Sequence, residues 1–255
     1  MTSLPFWATI VSQIGGDWMV YVRVSVGPLY LKEVLQLDDT ELGLVAGLPY
    51  LLIIPCVYLA GSLSDRLVAR GVLTNTQVRK LNDAVCKLIP AAVVLCLSYL
   101  PERSVVSVAF LNSLCTAALG FTAMSCYANP VDLAPAWAGL LSGIAGFGAM
   151  WVSFVVPVIF NYLTRGRTRE EWRMAFFITA VIQVLTFAFF CVFGSGEEQP
   201  WAVEGEHYDV IIATRDKNGD HDNKEDVVIV NGVTESKGVR EPRPNYGAAA
   251  ISHLK

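Results

Sequence analysis

Two charged residues interrupt an apolar run near the start of the chain, in the stretch IGGDWMVYVRV at residues 14–24. An acid in the middle of a membrane-spanning helix costs roughly 2.5–3.5 kcal/mol, so such residues usually face a protein interior or a wet cavity. On a helix with about 100° per residue, Asp17 and Arg23 point about 120° apart and are poor partners for each other. Each of them therefore needs water, a headgroup or another helix as its partner.

Asp17 and Arg23 have different predicted roles. Asp17 is too short to reach the membrane surface, so we predict that it either binds a coupling proton or pairs with a cation from another part of the protein. Arg23 lies five residues before Pro28 and has two interpretations: an anion contact at the outer mouth of a cavity, or a side chain that extends to the interface. For Lys87, about one turn inside the third apolar stretch, we predict extension to the cytosolic interface.

The composition is that of a membrane protein. Of the 255 residues, 53% are hydrophobic and 16% are charged, whereas a soluble domain carries roughly 25% charged residues. Apolar stretches of about 20 residues, enough to cross a ~30 Å hydrocarbon core, recur along the chain. Six such stretches are present, at 5–29, 42–63, 84–100, 105–127, 136–163 and 172–193. Without the alternating pattern of barrel strands, they predict an all-α integral membrane protein with six transmembrane helices.

The last fifty residues have a different composition. From Val203 onward there are ten acidic and seven basic residues with few apolar ones, so we predict that residues 203–255 form a disordered acidic cytosolic tail. Its DKNGDHDNKEDV segment has His221 and Val227 where a calcium loop needs Gly and Glu. The six cysteines lie within apolar stretches at no metal-ligand spacing, which indicates packing rather than a metal site. The sequence predicts no cofactor and no nucleic-acid partner.

The segment GSLSDRLVARG, residues 61–71, follows the second apolar stretch directly. It has the form of the cytoplasmic loop motif of the major facilitator superfamily. In that interpretation Gly61 allows two helices to approach, Asp65 caps or pairs at a neighbouring helix end, and Arg66 and Arg70 face water. Such charges can hold one gate conformation and release it in another; the alternative is a basic loop that anchors helix ends. As a cytosolic landmark, the motif places both termini in the cytosol.

Glycines recur every three or four positions in two of the apolar stretches. They are Gly43 and Gly47 in the second, and Gly139, Gly143 and Gly146 in the fifth. Small residues at this spacing allow close helix contact in lipid, where packing drives association. We therefore predict that both stretches pack closely against other helices through these glycines.

Short segments in a fixed order extend the resemblance over residues 4–202. They are LPFWATIV (4–11), Trp18, Tyr21, PLY (28–30), LGLVAGLPYL (42–51), GSLSD (61–65), TNTQVRKL (74–81), NPVDLAP (129–135), TREEW (168–172) and SGEEQPWA (195–202). Together they resemble the anion and phosphate transporter branch of the major facilitator superfamily, which includes sialin, the vesicular glutamate transporters and the sodium-phosphate cotransporters. The resemblance covers only the second six-helix half of a twelve-helix bundle. Asn129, in NPVDLAP, is a further candidate substrate or coupling residue.

The resemblance implies a central anion site between two six-helix halves, with alternating access driven by a proton, sodium or voltage gradient. The arginine that vesicular glutamate transporters carry for a substrate carboxylate aligns with Gly16, so this sequence lacks it. Arg23 lies seven residues on, about 20° from the same face and roughly 10.5 Å further along the helix. Gly146 stands where the family commonly has Asn, and Pro130 where His is usual. Arg23 is therefore our candidate for a displaced anion contact.

These observations predict a secondary active transporter of small organic or inorganic anions, not an enzyme, with H⁺ or Na⁺ as the coupling ion of a symport. Its partners would be the lipid bilayer, a small anionic substrate and, if it is encoded separately, an N-terminal half. The alternative is that the chain is a partial gene product, and in either case we expect no transport by the chain alone. The resemblance fits a plasma, lysosomal or vesicle membrane. The alternative is a non-transporting membrane fragment that acts as an interaction or regulatory module.

Overall fold

The computed structural model describes residues 3–101 and 105–203, and all regular elements in these two ranges are helical. The predicted tail lies outside the described residues, apart from Val203. The α-helices are α1 (Leu4–Tyr21), α2 (Gly27–Glu33), α3 (Asp39–Gly47), α4 (Ile53–Ala69), α5 (Asn75–Tyr99), α6 (Val105–Leu119), α7 (Asn129–Leu133), α8 (Ala138–Leu163), α9 (Arg169–Phe193) and α10 (Pro200–Val203). A π turn (Val22–Val26) joins α1 to α2, and 3₁₀ turns occupy Leu48–Leu52, Gly120–Met124 and Pro135–Trp137.

The long helices begin and end at residues that the sequence marks clearly. Thr74 caps α5 by accepting a hydrogen bond from the Gln77 amide, and Thr168 caps α9 in the same way through Glu171. Such caps each contribute about 0.5–2 kcal/mol to helix stability. Gly71 follows the Arg70 cap of α4, and its φ of +65° is the left-handed conformation that glycine adopts without a steric penalty.

Contacts at its two ends show that the first helical segment runs the length of the bundle. Ser3 Oγ lies 3.4 Å from Gln199 Oε1 at what we call the terminal end of the bundle. Glu33 pairs with Arg167 across 2.7 Å at the opposite end. The segment formed by α1, the π turn and α2 therefore connects the same two ends as the other long helices.

Five helical stretches are long and apolar enough to cross a membrane. They are Asp39–Ala69, Asn75–Tyr99, Val105–Leu133, Pro135–Leu163 and Arg169–Phe193. The first predicted span is not among them, because Ser12, Gln13 and Asp17 lower the mean hydropathy of α1. Ser12 and Gln13 are buried, so α1 turns polar side chains towards its neighbours. The six-span count stays a prediction.

Helices α5 and α9 make the most extensive contacts in the bundle. Helix α1 packs against α8 and α9, while α5 packs against α9 and α6. Near the opposite end, the Tyr30 ring lies 5.3 Å from Trp172 and 4.8 Å from Phe176, and its hydroxyl donates to the Leu97 carbonyl at 2.8 Å. Aromatic contacts of this kind add about 0.5–1.5 kcal/mol each beyond the area that they bury. They fix α2 against α5 and α9.

Most of the glycines in the glycine prediction make no close helix contact within the described residues. A Cβ placed on any of four of them would have no atom within 4 Å in the described residues: Gly43, Gly47, Gly139 and Gly143. At Gly146 the Cβ would lie 3.9 Å from Gln13 Nε2, an ordinary contact. Helices approach closely instead at Gly15, where a Cβ would overlap Thr186, and at Gly120, where it would lie 2.9 Å from Cys56 Cβ. Spacing alone did not show which glycine faces a neighbour.

Candidate functional site

Arg23 lies in the π turn between α1 and α2. Pro28 has no amide hydrogen, and its ring collides with the carbonyl four residues earlier in a regular helix. The chain widens just before it, and the Gly27 amide donates to the Val22 carbonyl five residues back. Single π turns of this kind occur frequently at functional sites. The sequence shows Pro28, but it gives no sign of the π turn that precedes this proline.

The guanidinium of Arg23 turns into the bundle and has no acidic partner among the described residues. One of its terminal nitrogens donates to the Asn112 carbonyl at 3.0 Å, and its carbon lies 5.9 Å from the centre of the Tyr50 ring. Its Nε is buried without a hydrogen-bond partner. The Arg23 guanidinium thus contacts the Asn112 carbonyl and the Tyr50 ring, and both interpretations of its role stay predictions.

Arg23 lines two cavities. The first, of about 200 Å³, is lined also by Tyr30, Asn112 and Cys115. The second, of about 210 Å³, is lined by Arg23, Tyr50 and Tyr127 among others. A cation with an unused donor thus borders space that a small molecule or water can occupy.

Asp17 is hydrogen-bonded to Tyr127, a residue that the sequence analysis did not predict. The Tyr127 hydroxyl donates a short hydrogen bond to Asp17 Oδ1, and Tyr127 itself is 44% exposed and lines the second cavity. Asp17 and Arg23 form no pair with each other, as their separation on the helix predicted. Arg23 lines the second cavity directly, and Asp17 is connected to the same cavity through Tyr127.

Asn129 lies away from these cavities. It is fully buried at the start of α7, and its amide donates to Thr9 Oγ1 at 2.7 Å, while Thr9 Oγ1 donates to the Pro5 carbonyl at 3.0 Å. Its Oδ1 is buried without a partner. Asn129 holds α7 against the start of α1, and the structure does not bring it together with Asp17 or Arg23.

An ion pair near Asn129 joins two of the sequence segments on which the resemblance depends. Arg79 of TNTQVRKL contacts Asp132 of NPVDLAP through two nitrogens, at 2.6 and 3.2 Å, and also donates to the Met124 carbonyl at 2.8 Å. The two side chains are 14% and 15% exposed. Two parallel bonds of this kind give an arginine–carboxylate pair both strength and geometry. The sequence showed both segments without showing that they meet.

The predicted gate motif lies at the end of α4. Asp65, Arg66 and Arg70 are exposed there, and none of them forms an ion pair within residues 3–101 and 105–203. A Cβ on Gly61 would lie 3.6 Å from Met124 Sδ, which is ordinary contact. A latch that involves Asp65 would therefore need a partner outside the described residues, and the motif's role stays a prediction.

The prediction for Lys87 is wrong. Its side chain is 0% exposed, and its Nζ donates to the Ser12 carbonyl at 2.5 Å and lies 3.6 Å from Asp83 Oδ1. Asp83 precedes Lys87 by one helical turn on the same face of α5, so a counter-ion is present inside the bundle. The lysine therefore has no need to extend to the interface. The Asp83–Lys87 spacing within an apolar stretch is a signal that could have predicted this pair.

The cysteines behave as packing residues where they are buried. Cys86, Cys115 and Cys126 are buried, and all six cysteines are free thiols. Within the part of the chain that the structure describes, no group of three or more His, Cys, Asp or Glu side chains is arranged to hold a metal ion.

Comparison with known proteins gives a consistent result. No protein-family model matches the chain. Human sialin is 33% identical over 207 residues, which cover 81% of this chain and 42% of sialin. Vesicular glutamate transporter 2.1 of Danio rerio is 30% identical over 248 residues, 97% of this chain and 41% of the relative. Bovine vesicular glutamate transporter 1 is 33% identical over 201 residues, 79% of this chain and 36% of the relative.

The chain thus spans about two fifths of the length of the curated relatives that it matches. These relatives are transporters and not enzymes. The match extends over four fifths or more of this chain and agrees with its all-helical, apolar structure. The chain therefore belongs to the family of sialin and the vesicular glutamate transporters, a branch of the major facilitator superfamily, of which it represents a partial half.

Proposed function

We propose that this chain is the C-terminal half of a secondary active transporter of small organic or inorganic anions, and that Arg23 contacts the transported anion. One observation carries the proposal: Arg23 borders two cavities, and within residues 3–101 and 105–203 its buried Nε has no hydrogen-bond partner and its guanidinium pairs with no acid. The names of the relatives, sialin and vesicular glutamate transporter, support an anion as the substrate class.

The electrostatics at Arg23 favour an anion in this position. A charged side chain inside a membrane bundle is costly unless a partner offsets its charge, and Arg23 has a carbonyl and a ring where an acid would serve better. A carboxylate or phosphate can accept two parallel bonds from a guanidinium. An anion that enters the cavity would therefore contact the terminal nitrogens of the guanidinium, while contact with the buried Nε would require the side chain to turn.

Coupling is assigned in this proposal to Asp17. Its hydrogen bond to Tyr127 places the carboxylate one side chain away from the cavity that Arg23 borders. A proton or Na⁺ at Asp17 would change the charge near the anion without a cofactor. In this account both termini lie in the cytosol, and the membrane is a plasma, lysosomal or vesicle membrane.

Transport is expected to require a first six-helix half. Substrate sites in such transporters lie near the midplane between two repeats, so both repeats supply walls. The two cavities at Arg23 are lined by residues of α1 to α6 and α9 and of the turns between them, and Tyr50 and Tyr127 at their borders are exposed. An N-terminal half covering these residues would complete the site.

Uptake into liposomes tests this function. The chain would be reconstituted alone, and together with the N-terminal half of sialin, and each sample offered sialate, glutamate, phosphate and urate at several pH values. We expect saturable uptake of at least one anion by the combined halves and none above protein-free liposomes by the chain alone. Robust uptake by the chain alone would contradict the need for a second half. A folded, assembled pair that takes up no anion would contradict the function itself.

The coupling role is tested separately with Asp17→Asn in the combined halves. We expect the variant to lose the pH dependence of uptake, while Asp132→Asn, an acid paired outside the cavity, keeps it. A pH dependence that survives Asp17→Asn unaltered would remove Asp17 from coupling.

A further inference from the structure

The first cavity at Arg23 has an apolar interior beside a single charge. Its volume of about 200 Å³ far exceeds the ~10–15 Å³ that one water molecule needs. Val24 and Tyr50, which are 52% and 39% exposed, line its opening. Its deep wall includes side chains that are at most 8% exposed: Tyr30, Leu31, Val94, Leu97 and Phe176. The cavity therefore has room for a molecule whose body extends from Arg23 into the bundle.

Few polar groups of this cavity remain available to a ligand. The Tyr30 hydroxyl donates to the Leu97 carbonyl at 2.8 Å, and the Asn112 side-chain amide donates to the Val45 carbonyl at 2.5 Å. The backbone carbonyl of Asn112 already accepts a hydrogen bond from Arg23. Hydroxyl or ammonium groups of a ligand would therefore lose water here and find few partners, which is costly.

One cation in an apolar cavity selects among anions by charge and by polarity. Arg23 is the only charged residue among the described residues that line this cavity. A monocarboxylate brings one negative charge, which a guanidinium can offset through two parallel bonds. Inorganic phosphate is partly dianionic near neutral pH and has no apolar body. Glutamate adds an ammonium group and a second carboxylate, for which the described lining offers no charged partner.

We propose that this cavity holds the apolar body of a small monocarboxylate whose carboxylate contacts the terminal nitrogens of Arg23. The proposal deepens the proposed function, on which its role in transport rests, by naming the substrate class. Leu31 of α2, Val94 of α5 and Phe176 of α9 limit the size of the body that fits. Because the lining residues all belong to this chain, binding itself requires neither transport nor a second half.

Binding to the purified full chain in lipid nanodiscs tests this substrate class. ¹⁹F NMR of 4-fluorobenzoate is the probe, protein-free nanodiscs are the blank, and unlabelled acids compete with the probe. We expect benzoate to bind at least about 10-fold more tightly than acetate, because its ring leaves water. Phosphate and glutamate should compete more weakly than benzoate. Benzamide, which keeps the ring without the charge, should bind at least about 10-fold more weakly than benzoate.

Two variants of α3 show whether the ring occupies this cavity. Ala46 lines the cavity, so Ala46→Leu should weaken benzoate binding about 10-fold, because it fills space that the ring needs, and leave acetate binding unchanged. Gly43→Leu is the matched control, because a Cβ at Gly43 meets no atom within 4 Å, and it should change neither affinity. Where Ala46→Leu fails to fold, Val94→Ala enlarges the cavity and should favour 4-tert-butylbenzoate over benzoate relative to the wild type.

Several outcomes would overturn the proposal. They are acetate or phosphate binding as tightly as benzoate, wild-type benzoate affinity in a folded Ala46→Leu variant, and no binding of the probe above the blank. The assay needs no transport, so benzoate binding as expected without uptake of benzoate or any other anion by the combined halves would refute only the proposed function. Uptake of phosphate or glutamate but not of benzoate by the combined halves would refute only the substrate class.

Discussion

Two basic residues within apolar stretches, Arg23 and Lys87, meet opposite conditions in this bundle. Arg23 borders two cavities, and in the part of the chain that the structure describes it has no acid beside it and keeps a buried donor unused. Lys87 is sealed from solvent and pairs with Asp83, which lies one helical turn before it. The charge of Lys87 is therefore offset within the bundle by Asp83, whereas that of Arg23 has no acidic partner among the described residues. A transported anion would offset the charge of Arg23.

The difference arises from local structure rather than from the type of residue. Lys87 has an acid one turn away on a regular helix, so its counter-ion comes with the helix itself. Arg23 lies in a π turn beside a proline, where the backbone is irregular and the nearest acceptor is a carbonyl. A basic residue in an apolar stretch can thus be structural or available to a ligand, and its immediate partners decide which.

Removing the sealed cation should have the largest effect on stability. Lys87→Met leaves Asp83 buried with no counter-ion, and breaking such a pair costs about 3–5 kcal/mol. We expect a lower unfolding temperature or loss of folded protein for the purified chain in detergent. The double variant Lys87→Met/Asp83→Asn, which removes both charges, should recover most of that loss. Equal losses in the single and double variants would show that the charges are not coupled.

The Arg79–Asp132 pair is expected to rank second. It is partly exposed, so solvent screens it, and we expect a coupling free energy of about 1–3 kcal/mol. A double-mutant cycle with Arg79→Ala and Asp132→Ala, measured by chemical unfolding, gives this value. A coupling free energy near zero would mean that the two bonds do not hold α5 against α7.

A matched pair of glycine variants separates the packed regions from the open faces. Gly120→Ala places a methyl group 2.9 Å from Cys56 Cβ, and overpacking of this kind costs about 1–3 kcal/mol. Gly43→Ala meets no atom within 4 Å, so the unfolding transition of the chain should stay the same or rise slightly. The opposite order of the two variants in thermal unfolding would contradict the helix contacts described above.

The smallest effect on stability is expected at the gate motif. Asp65 is exposed and unpaired within the described residues, so Asp65→Asn should change the unfolding free energy by less than about 0.5 kcal/mol. In the combined halves the same variant should slow uptake, because a latch would act only between conformations. A large loss of stability in the chain alone would show instead that Asp65 supports the fold.

The helices followed from the sequence more readily than their contacts did. Apolar length and capping residues such as Thr74 and Thr168 mark long helices directly, because both signals are local. The polar residues of α1 kept the first segment below the hydropathy of the other five. Whether a glycine faces a neighbouring helix depends on how the helices are rotated about their axes, which the sequence does not show. The contacts predicted at Gly43 and Gly139 are therefore absent from the described residues, whereas Gly15 and Gly120 make close contacts.

The candidate site was predictable in its charges but not in its partners. Asp17 and Arg23 were conspicuous because charge is rare in an apolar stretch, and their separation on the helix followed from its geometry. Tyr127 was not predicted, because it is far from Asp17 in the sequence and tyrosine is common near membrane interfaces. Asp83 and Lys87 lie four residues apart, a spacing that predicts a pair on one face of a helix. The sequence therefore indicated this pair, and the prediction that Lys87 extends to the interface was wrong.

Anion affinity of the combined halves with Arg23→Gln and Arg23→Lys is the most direct test of the central claim, that Arg23 contacts the anion. Losing a charge-assisted bond costs roughly 1.5–3 kcal/mol, so Arg23→Gln should weaken the affinity roughly 10- to 100-fold. Arg23→Lys, which keeps the charge without the paired donors, should weaken it less. Unchanged affinity in both variants, with the fold intact, would contradict the account.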